Sequence, residues 1–309
     1  MLITKPPVEI NDALLMLGNA EYPLYLVKGD GECAIFEGGT GPMGPLLHEQ
    51  LSEFGIVPDS IRQVVIPHAH PDHVMAVPFL RGFLRQAEVL ASEAAAAVLA
   101  NEKAVGFFSK IDGAITESLL REGTIREEHR PEPLTEMKIA VDRTIGQRDA
   151  VEVGGRNFRV LATPGHSECS LSFHDAAADV LLISDAAPYY FPEDDSCWPD
   201  YFVSYTDYLD SMRRLADLGA ETLCLGHHAV VRGAAEVAAF FDRSIAATEA
   251  YHRRIVDEGK AGRTVRKIAE QLGTEVYAKT KLLPLDFFQK NCGLMVKLSL
   301  KHEGIELEK

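Results

Sequence analysis

Residues 64–73 of this 309-residue chain read Val64-Val65-Ile66-Pro67-His68-Ala69-His70-Pro71-Asp72-His73. The apolar residues predict a short buried strand, and three histidines and an aspartate follow at its end. His68 and His70 stand two residues apart, so an extended backbone directs both side chains to the same side. Imidazoles packed this closely repel one another when charged and are costly to bury unpaired, so a bound cation is the simplest explanation. Asp72 and His73 follow where the chain turns and can face a second ion. A plain polar turn is the alternative.

Composition and charge restrict the class of protein. With 46% hydrophobic and 25% charged residues, the sequence is typical of a globular protein with a large core. The formal net charge is -15, from 46 acidic and 31 basic residues. Because phosphate binding needs a basic surface, this charge argues against nucleic acid as the main substrate and against docking on an anionic membrane. We therefore expect a small-molecule substrate and neither a nucleic-acid nor a membrane partner.

The five cysteines are scattered along the chain, at Cys33, Cys169, Cys197, Cys224 and Cys292. They form no Cys-x-x-Cys pair, so neither a disulfide framework nor a structural zinc site is expected. The N-terminus lacks a secretory apolar run, and no segment approaches the roughly 18 apolar residues of a membrane span. The resulting expectation is a cytoplasmic protein in a reducing compartment.

The rest of the chain alternates apolar runs with turn residues, which is typical of a mixed α/β protein. We expect three antiparallel strands within 13–36, a helix over 43–54, a strand over 88–91, an Ala-rich helix from an N-cap at Ser92 to about 104, a hairpin over 151–162, and strands over 171–173, 180–183 and 222–225. Helices are expected over about 234–258, 264–272 and 285–301, with Gly273 as the stop of the second. We therefore predict a catalytic domain over residues 1–233, with a helical insertion at about 92–138 as a candidate cover for the site. A C-terminal helical extension over residues 234–309 is expected to pack on it.

Three further ligand candidates each follow an apolar strand. His166 lies in a Pro-Gly-His-Ser turn, Asp185 in Ile-Ser-Asp-Ala, and His227 in Leu-Gly-His-His. Strand ends are where sites accumulate in layered α/β proteins. Any one of these residues alone is more often a structural turn or cap. All three after the cluster at residues 68–73 are harder to explain that way.

Together these residues resemble the metallo-β-lactamase fold superfamily of metallo-hydrolases. The resemblance spans about residues 10–233 and rests on the motifs His68-Ala-His70-Pro-Asp72-His73, Thr163-Pro-Gly-His166-Ser, Ser184-Asp185 and Gly226-His227. It implies an α/β fold, the four-layer αββα sandwich, with a two-metal site along one edge of its sheets and, in this chain, an appended C-terminal helical segment.

The resemblance also implies a ligand set. The first metal would be held by His68, His70 and His166, the second by Asp72, His73 and His227, and Asp185 would bridge both. Such ligands suit two divalent ions of zinc or iron, with manganese as a further choice. His228 could replace His227 or act behind it, and the Gly-His position favours His227. Cys169 is better interpreted as a buried packing residue than as a nucleophile.

The residue at position 70 favours hydrolysis. In the flavodiiron oxygen reductases, which have a similar fold, a glutamate typically stands there, whereas this chain has His70. We expect a metal-bridged hydroxide to attack an ester or thioester, with Asp72 as the catalytic residue that orients the nucleophile and carries its proton. A lactonase, a phosphodiesterase and a regulatory or binding protein that retains the metal site are the alternatives.

Aromatic residues beyond Asp185 are candidates for the substrate pocket. These are Tyr189, Tyr190, Phe191 and Trp198, and a core or subunit contact is an equally good interpretation of them. The layout of the whole chain is similar to the thioesterase-like proteins of bacterial alkyl-quinolone signalling. That similarity makes thioesters and related activated acyl compounds the first choice of substrate. Apolar faces of the C-terminal helices could form a homodimer interface, although core packing is preferred for most of them.

Overall fold

The computed structural model describes residues 1–306. Its strands are, in chain order, β1 (Leu2–Ile3), β2 (Val8–Asn11), β3 (Leu14–Gly18), β4 (Pro23–Lys28), β5 (Cys33–Phe36), β6 (Ile61–Val65), β7 (Glu88–Ala91), β8 (Arg143–Thr144), β9 (Ala150–Val153), β10 (Arg156–Ala162), β11 (Leu171–Asp175), β12 (Val180–Ser184), β13 (Tyr189–Phe191), β14 (Ser196–Trp198), β15 (Thr222–Leu225) and β16 (Val230–Arg232). Its helices are α1 (Met43–Glu53), α2 (Val77–Phe83), α3 (Glu93–Leu99), α4 (Glu102–Glu122), α5 (Tyr205–Ala216), α6 (Ala234–Lys260), α7 (Val265–Lys279) and α8 (Leu285–His302).

Two seven-stranded sheets form the centre of the protein. The N-terminal sheet has the order β2-β3-β4-β5-β6-β7-β8, and the C-terminal sheet has the order β1-β16-β15-β12-β11-β10-β9. In the first sheet β5, β6, β7 and β8 run parallel, and in the second sheet β12 and β15 do. Parallel neighbours bring the ends of their strands to one edge, which is where the polar segments after β6, β12 and β15 lie.

Three apolar layers hold the sheets and helices together. The faces of the two sheets meet in a core whose centre is an aromatic group, with the Phe36 ring 5.0 Å from Phe158 and 5.1 Å from Phe173. The outer face of the N-terminal sheet is covered by α1 to α4, and that of the C-terminal sheet by α5 to α8. The predicted four-layer αββα sandwich with C-terminal helices is confirmed.

The Ala-rich helix of the insertion ends earlier than the expected position of about 104, and a second helix follows it. Ser92 caps α3 as predicted, since its hydroxyl accepts a hydrogen bond from Ala95 N at 3.1 Å. The helix nevertheless ends at Leu99, and Asn101 caps α4 by accepting from the backbone of Lys103 and Ala104. An Asn side chain that competes for backbone donors starts a new helix more readily than it continues an old one. α4 then packs against the ligand-bearing turn after β6.

The expected stop at Gly273 is wrong. α7 continues through this glycine to Lys279. A Cβ atom at position 273 would lie only 2.6 Å from the backbone N and Cα of Gln289 in α8. Gly273 therefore serves the close approach of two helices, and its missing side chain is explained by packing and not by helix termination.

This contact predicts the effect of Gly273→Ala on stability. The methyl group meets backbone, which cannot move aside as a flexible side chain can, so the free energy of unfolding should fall by about 1–3 kcal/mol. Gly106→Ala in α4 is the matched control, because a Cβ there meets no atom within 4 Å. That variant should be more stable by up to about 1 kcal/mol. Urea unfolding of both variants measures the difference, and equal stabilities would refute the packing explanation.

No helix within residues 1–306 combines the length and the apolar character needed to cross a membrane.

Candidate metal centre

The chain builds the site from four loops that meet at one edge of the sandwich. His68 and His70 follow β6, and the Pro71–His73 turn that comes next is a single turn of 3-10 helix closed by the hydrogen bond from His73 N to His70 O, 3.0 Å. The loops after β10, β12 and β15 deliver the remaining ligand candidates from the other sheet, namely His166, Asp185 and His227.

Asp185 lies at the middle of the cluster. Its Oδ2 atom is 3.6 Å from His68 Nε2, 3.2 Å from His73 Nε2 and 3.4 Å from His166 Nε2. Its Oδ1 atom is 3.5 Å from His227 Nε2. One carboxylate therefore faces histidines from both halves of the predicted ligand set.

The seven predicted ligands come together as two groups. One group contains His68, His70, His166 and Asp185, and the other contains Asp72, His73 and His227. Within each group the potential ligand atoms all lie within 4.8 Å of one another. In the second group Asp72 Oδ2 lies 3.5 Å from His73 Nε2 and 3.7 Å from His227 Nε2. This spacing fits one divalent ion per group.

Buried nitrogen atoms test whether these residues suit a metal. The Nε2 atoms of His68 and His73 are buried and make no hydrogen bond within the described part of the chain. A buried polar atom without a partner is costly, and a divalent ion supplies the missing partner for both. Imidazole and carboxylate are also the donor types that zinc, iron and manganese accept. The residues therefore fit two divalent cations.

The five histidines of the cluster differ in the direction of their pKa shifts. Burial and the neighbouring imidazoles hold the pKa of His68 well below its usual range, and burial also lowers the pKa of His70 to about 3. Burial raises the pKa of Asp185, but the imidazoles of His73 and His227 outweigh it and hold that pKa well below its usual range. Burial lowers the pKa of the other three histidines, but the nearby carboxylates outweigh it: Asp185 and Asp72 raise the pKa of His73 well above its usual range and that of His227 to about 9, and Asp200 raises that of His166. Metal binding to these imidazoles therefore releases protons.

Acceptors behind the cluster orient three of the histidines. His73 Nδ1 lies 2.7 Å from the Glu37 carboxylate, His166 Nδ1 lies 2.8 Å from Asp200 O, and His227 Nδ1 lies 2.6 Å from Glu21 O. An Nδ1–H that donates to such an acceptor leaves Nε2 free as a ligand atom directed into the site.

These acceptors are residues that the sequence did not reveal. Glu37 had a weak signal, because it precedes two glycines at the end of β5 and adopts φ 84°, which is unusual for a residue with a side chain. Asp200 follows the aromatic segment and carries no motif. Glu21 contributes a backbone oxygen, which any residue could provide.

The aromatic candidates divide between the site and the core. The Tyr189 ring lies 4.6 Å from the ring of His227, and Trp198 lies 6.5 Å from Tyr189. The Phe191 ring lies 5.1 Å from Tyr189. Tyr190 instead packs 5.6 Å from Phe240 of α6, as expected from the alternation of side chains along β13.

Phe202 is a further aromatic residue beside the ligand candidates. Its ring lies 5.2 Å from His166, 6.4 Å from His70 and 6.2 Å from Trp198. It belongs to the same aromatic-rich stretch of sequence as the predicted pocket residues, and the structure places it beside two ligand candidates.

The two remaining candidates lie outside both ligand groups. His228 has its Nε2 atom 3.3 Å from a carboxylate oxygen of Glu21 and its ring 4.9 Å from Tyr189. Cys169 is buried in the core under α1 to α4, where its Sγ atom accepts a hydrogen bond from Ala69 N at 3.4 Å. That position agrees with a packing role for the thiol.

Residues 23–227 match the family profile described as Metallo-beta-lactamase superfamily. The chain belongs to this superfamily. The match spans all seven residues of the two His/Asp groups, and the sequence resemblance to the superfamily is confirmed. Membership of this superfamily of metallo-hydrolases, together with the His/Asp cluster, supports hydrolase chemistry with divalent metals.

Known proteins resemble this superfamily member along most of its length. The probable metallo-hydrolase YqjP of Bacillus subtilis is 26% identical in an alignment 275 residues long that covers 85% of this chain and 83% of YqjP. The metallo-beta-lactamase family protein TTHA1429 of Thermus thermophilus superposes with a TM-score of 0.60 at 22% identity, over 98% of this chain and 94% of that protein. The sec-alkylsulfatase Pisa1 of a Pseudomonas species gives 0.63 at 14% identity, over 96% of this chain and 50% of Pisa1. At these identities the solved structures show a shared fold alone.

Proposed function

We propose that this chain is a dinuclear metal-dependent hydrolase that cleaves an ester or thioester of a small, apolar acyl substrate. The observation that carries the proposal is the position of Asp185, whose two carboxylate oxygens face histidines of both ligand groups. A carboxylate in that position can link two ions into one centre.

The residues that would hold the ions follow from the two groups. His68, His70 and His166 would bind one ion, Asp72, His73 and His227 the other, and Asp185 would contact both. Two such ions supply Lewis acidity and an activated water molecule at neutral pH. Glu37 would keep His73 in the orientation and tautomer that binding requires.

Asp72 is the member of the cluster best placed for proton transfer. Its side chain is 24% exposed, whereas that of Asp185 is 6% exposed. A carboxylate at the solvent side of the site can orient the attacking water, take its proton and pass it to the leaving group. Asp185, enclosed by histidines, lacks that access.

The charge around the site favours a neutral acyl group over a phosphate or sulfate ester. Within residues 1–306 the carboxylates of Asp72, Asp185 and Glu37 form ion pairs only with histidines. Sites for phosphoryl groups usually add arginine or lysine to neutralise the extra charge. The rings of Tyr189 and Phe202 offer apolar surface to an acyl chain instead.

A substrate panel tests the proposed function. We expect p-nitrophenyl esters and acyl thioesters to be cleaved faster than lactones and bis-p-nitrophenyl phosphate. For each methylene added to the acyl chain, kcat/KM should rise by up to about four-fold, the factor that corresponds to the free energy of burying one methylene group. Preferential cleavage of the phosphodiester would refute the acyl substrate class. Full metal occupancy without turnover of any compound would support the binding role instead.

The variant Phe202→Ala, assayed with the same substrates, tests whether the acyl chain binds beside Phe202. Loss of the ring should flatten the dependence of kcat/KM on acyl chain length, because the added methylenes lose their apolar contact. Phe107→Ala is the control, since Phe107 is an exposed aromatic residue on α4. An unchanged dependence in Phe202→Ala would place the acyl chain elsewhere.

A further inference from the structure

A second cluster of metal-ligating side chains lies at the C-terminal helices. It contains His252 in the middle of α6, His302 at the end of α8, and Glu303, which follows α8 directly. Potential ligand atoms of these three residues all lie within 4.8 Å of one another. None of them belongs to the centre at the sheet edge.

The spacing of the ligand atoms in this cluster is close to that around one tetrahedrally coordinated ion. His252 Nε2 lies 3.3 Å and His302 Nε2 lies 3.9 Å from the same oxygen, Oε1 of Glu303. Zinc bound to nitrogen and oxygen at about 2.1 Å keeps its ligand atoms about 3.4 Å apart. The distances of 3.3 and 3.9 Å lie near this value, and all three ligand atoms lie within 4.8 Å of one another.

Neighbouring residues hold both imidazoles in place. The Tyr205 ring stacks on His252 with centroids 3.9 Å apart and an angle of 10° between the planes. The Thr206 hydroxyl lies 3.4 Å from His302 Nδ1. Contacts that fix the orientation of a ligand imidazole in this way strengthen metal binding.

Comparison with a third cluster shows that, within residues 1–306, no lysine or arginine forms an ion pair with the C-terminal one. Glu49, Glu128 and His129 also converge, but the guanidinium of Arg126 contacts all three. In the described residues, the ion pairs of His252, His302 and Glu303 join only these three to one another. The neighbouring Arg253 pairs with Glu249.

We propose that His252, His302 and Glu303 form a separate mononuclear site for a divalent transition metal, with Zn²⁺ as the expected ion. Two imidazoles and one carboxylate select zinc and its transition-metal neighbours over magnesium or calcium. Water completes the coordination, since the side chains of His302 and Glu303 are 42% and 38% exposed. The bound ion would fasten the end of α8 to α6.

Equilibrium dialysis of the full-length protein against buffered Zn²⁺, followed by metal analysis, tests this site. Wild-type protein should retain one zinc ion per chain more than His302→Ala or Glu303→Gln. Both substitutions are at exposed positions outside the core. The sheet-edge centre is unaltered in every variant, so the difference counts the additional ion alone. Added Zn²⁺ should also raise the Tm of the wild type more than that of either variant.

His48→Ala is the matched control, because His48 is an exposed histidine on α1 outside all of the clusters. It should bind as much zinc as the wild type. Equal zinc in the wild type, His302→Ala and Glu303→Gln would overturn the proposal. An equal loss in His48→Ala and His302→Ala would overturn it too, because the zinc would then be bound nonspecifically by surface histidines.

Discussion

Asp185→Asn should lose most of the bound metal and lower kcat/KM for the preferred ester by about three orders of magnitude or more. Asp185 faces four histidines from both sheets, at 3.2 to 3.6 Å. Replacing its carboxylate by an amide removes the negative charge that both ions would share. The amide also places an NH₂ group against at least one ligand histidine.

Metal content per chain and steady-state kinetics on the same preparation measure this effect. Asp210→Asn, which removes an exposed carboxylate from α5, is the control and should behave as the wild type. If Asp185→Asn kept both ions and full turnover, Asp185 would not be the shared ligand, and the dinuclear proposal would lose its main support.

Asp72→Asn should also lose much of its turnover but, unlike Asp185→Asn, should keep most of its metal. The amide oxygen can still serve as a ligand beside His73 and His227, but it cannot accept the proton of the attacking water. General acid–base groups contribute about 10²–10⁴-fold to rate, and kcat should fall by that factor. The same two measurements, metal content and kcat, distinguish this outcome from that of Asp185→Asn.

Two results would contradict the assignment of Asp72. Undiminished turnover in Asp72→Asn would exclude it from proton transfer. A fall in activity that only matches the fall in metal content would make Asp72 a ligand without a separate catalytic duty.

The convergence of the His and Asp side chains at one edge could be predicted from the sequence because its signals are local. Each of the loops at His68, His166, Asp185 and His227 follows an apolar strand, and strands of a layered sheet deliver their ends to a common edge. Short-range alternation and turn residues likewise predicted most strands correctly, including the hairpin of β9 and β10.

What sequence reasoning missed depends on long-range contacts. Gly273 looks like a helix stop until the backbone of Gln289 is seen 2.6 Å from its missing Cβ. The acceptor for His227 is the backbone oxygen of Glu21, which has no residue signature. Tyr190 is a neighbour of Tyr189 in sequence but packs against α6, because strand alternation separates them. Local propensity carries no information about any of these partners.

The proposed ligands come from both sheets, and this has a consequence for the order of folding and metal binding. His68 to His73 follow β6 of the N-terminal sheet, whereas His166, Asp185 and His227 follow strands of the C-terminal sheet. On the proposed ligand assignment, the complete set would exist only after the two sheets have docked, so metal binding would be a late step in folding. An ion that binds only the docked form opposes its reopening. We therefore expect metal supply in the cell to set the lifetime of the folded protein as well as its activity.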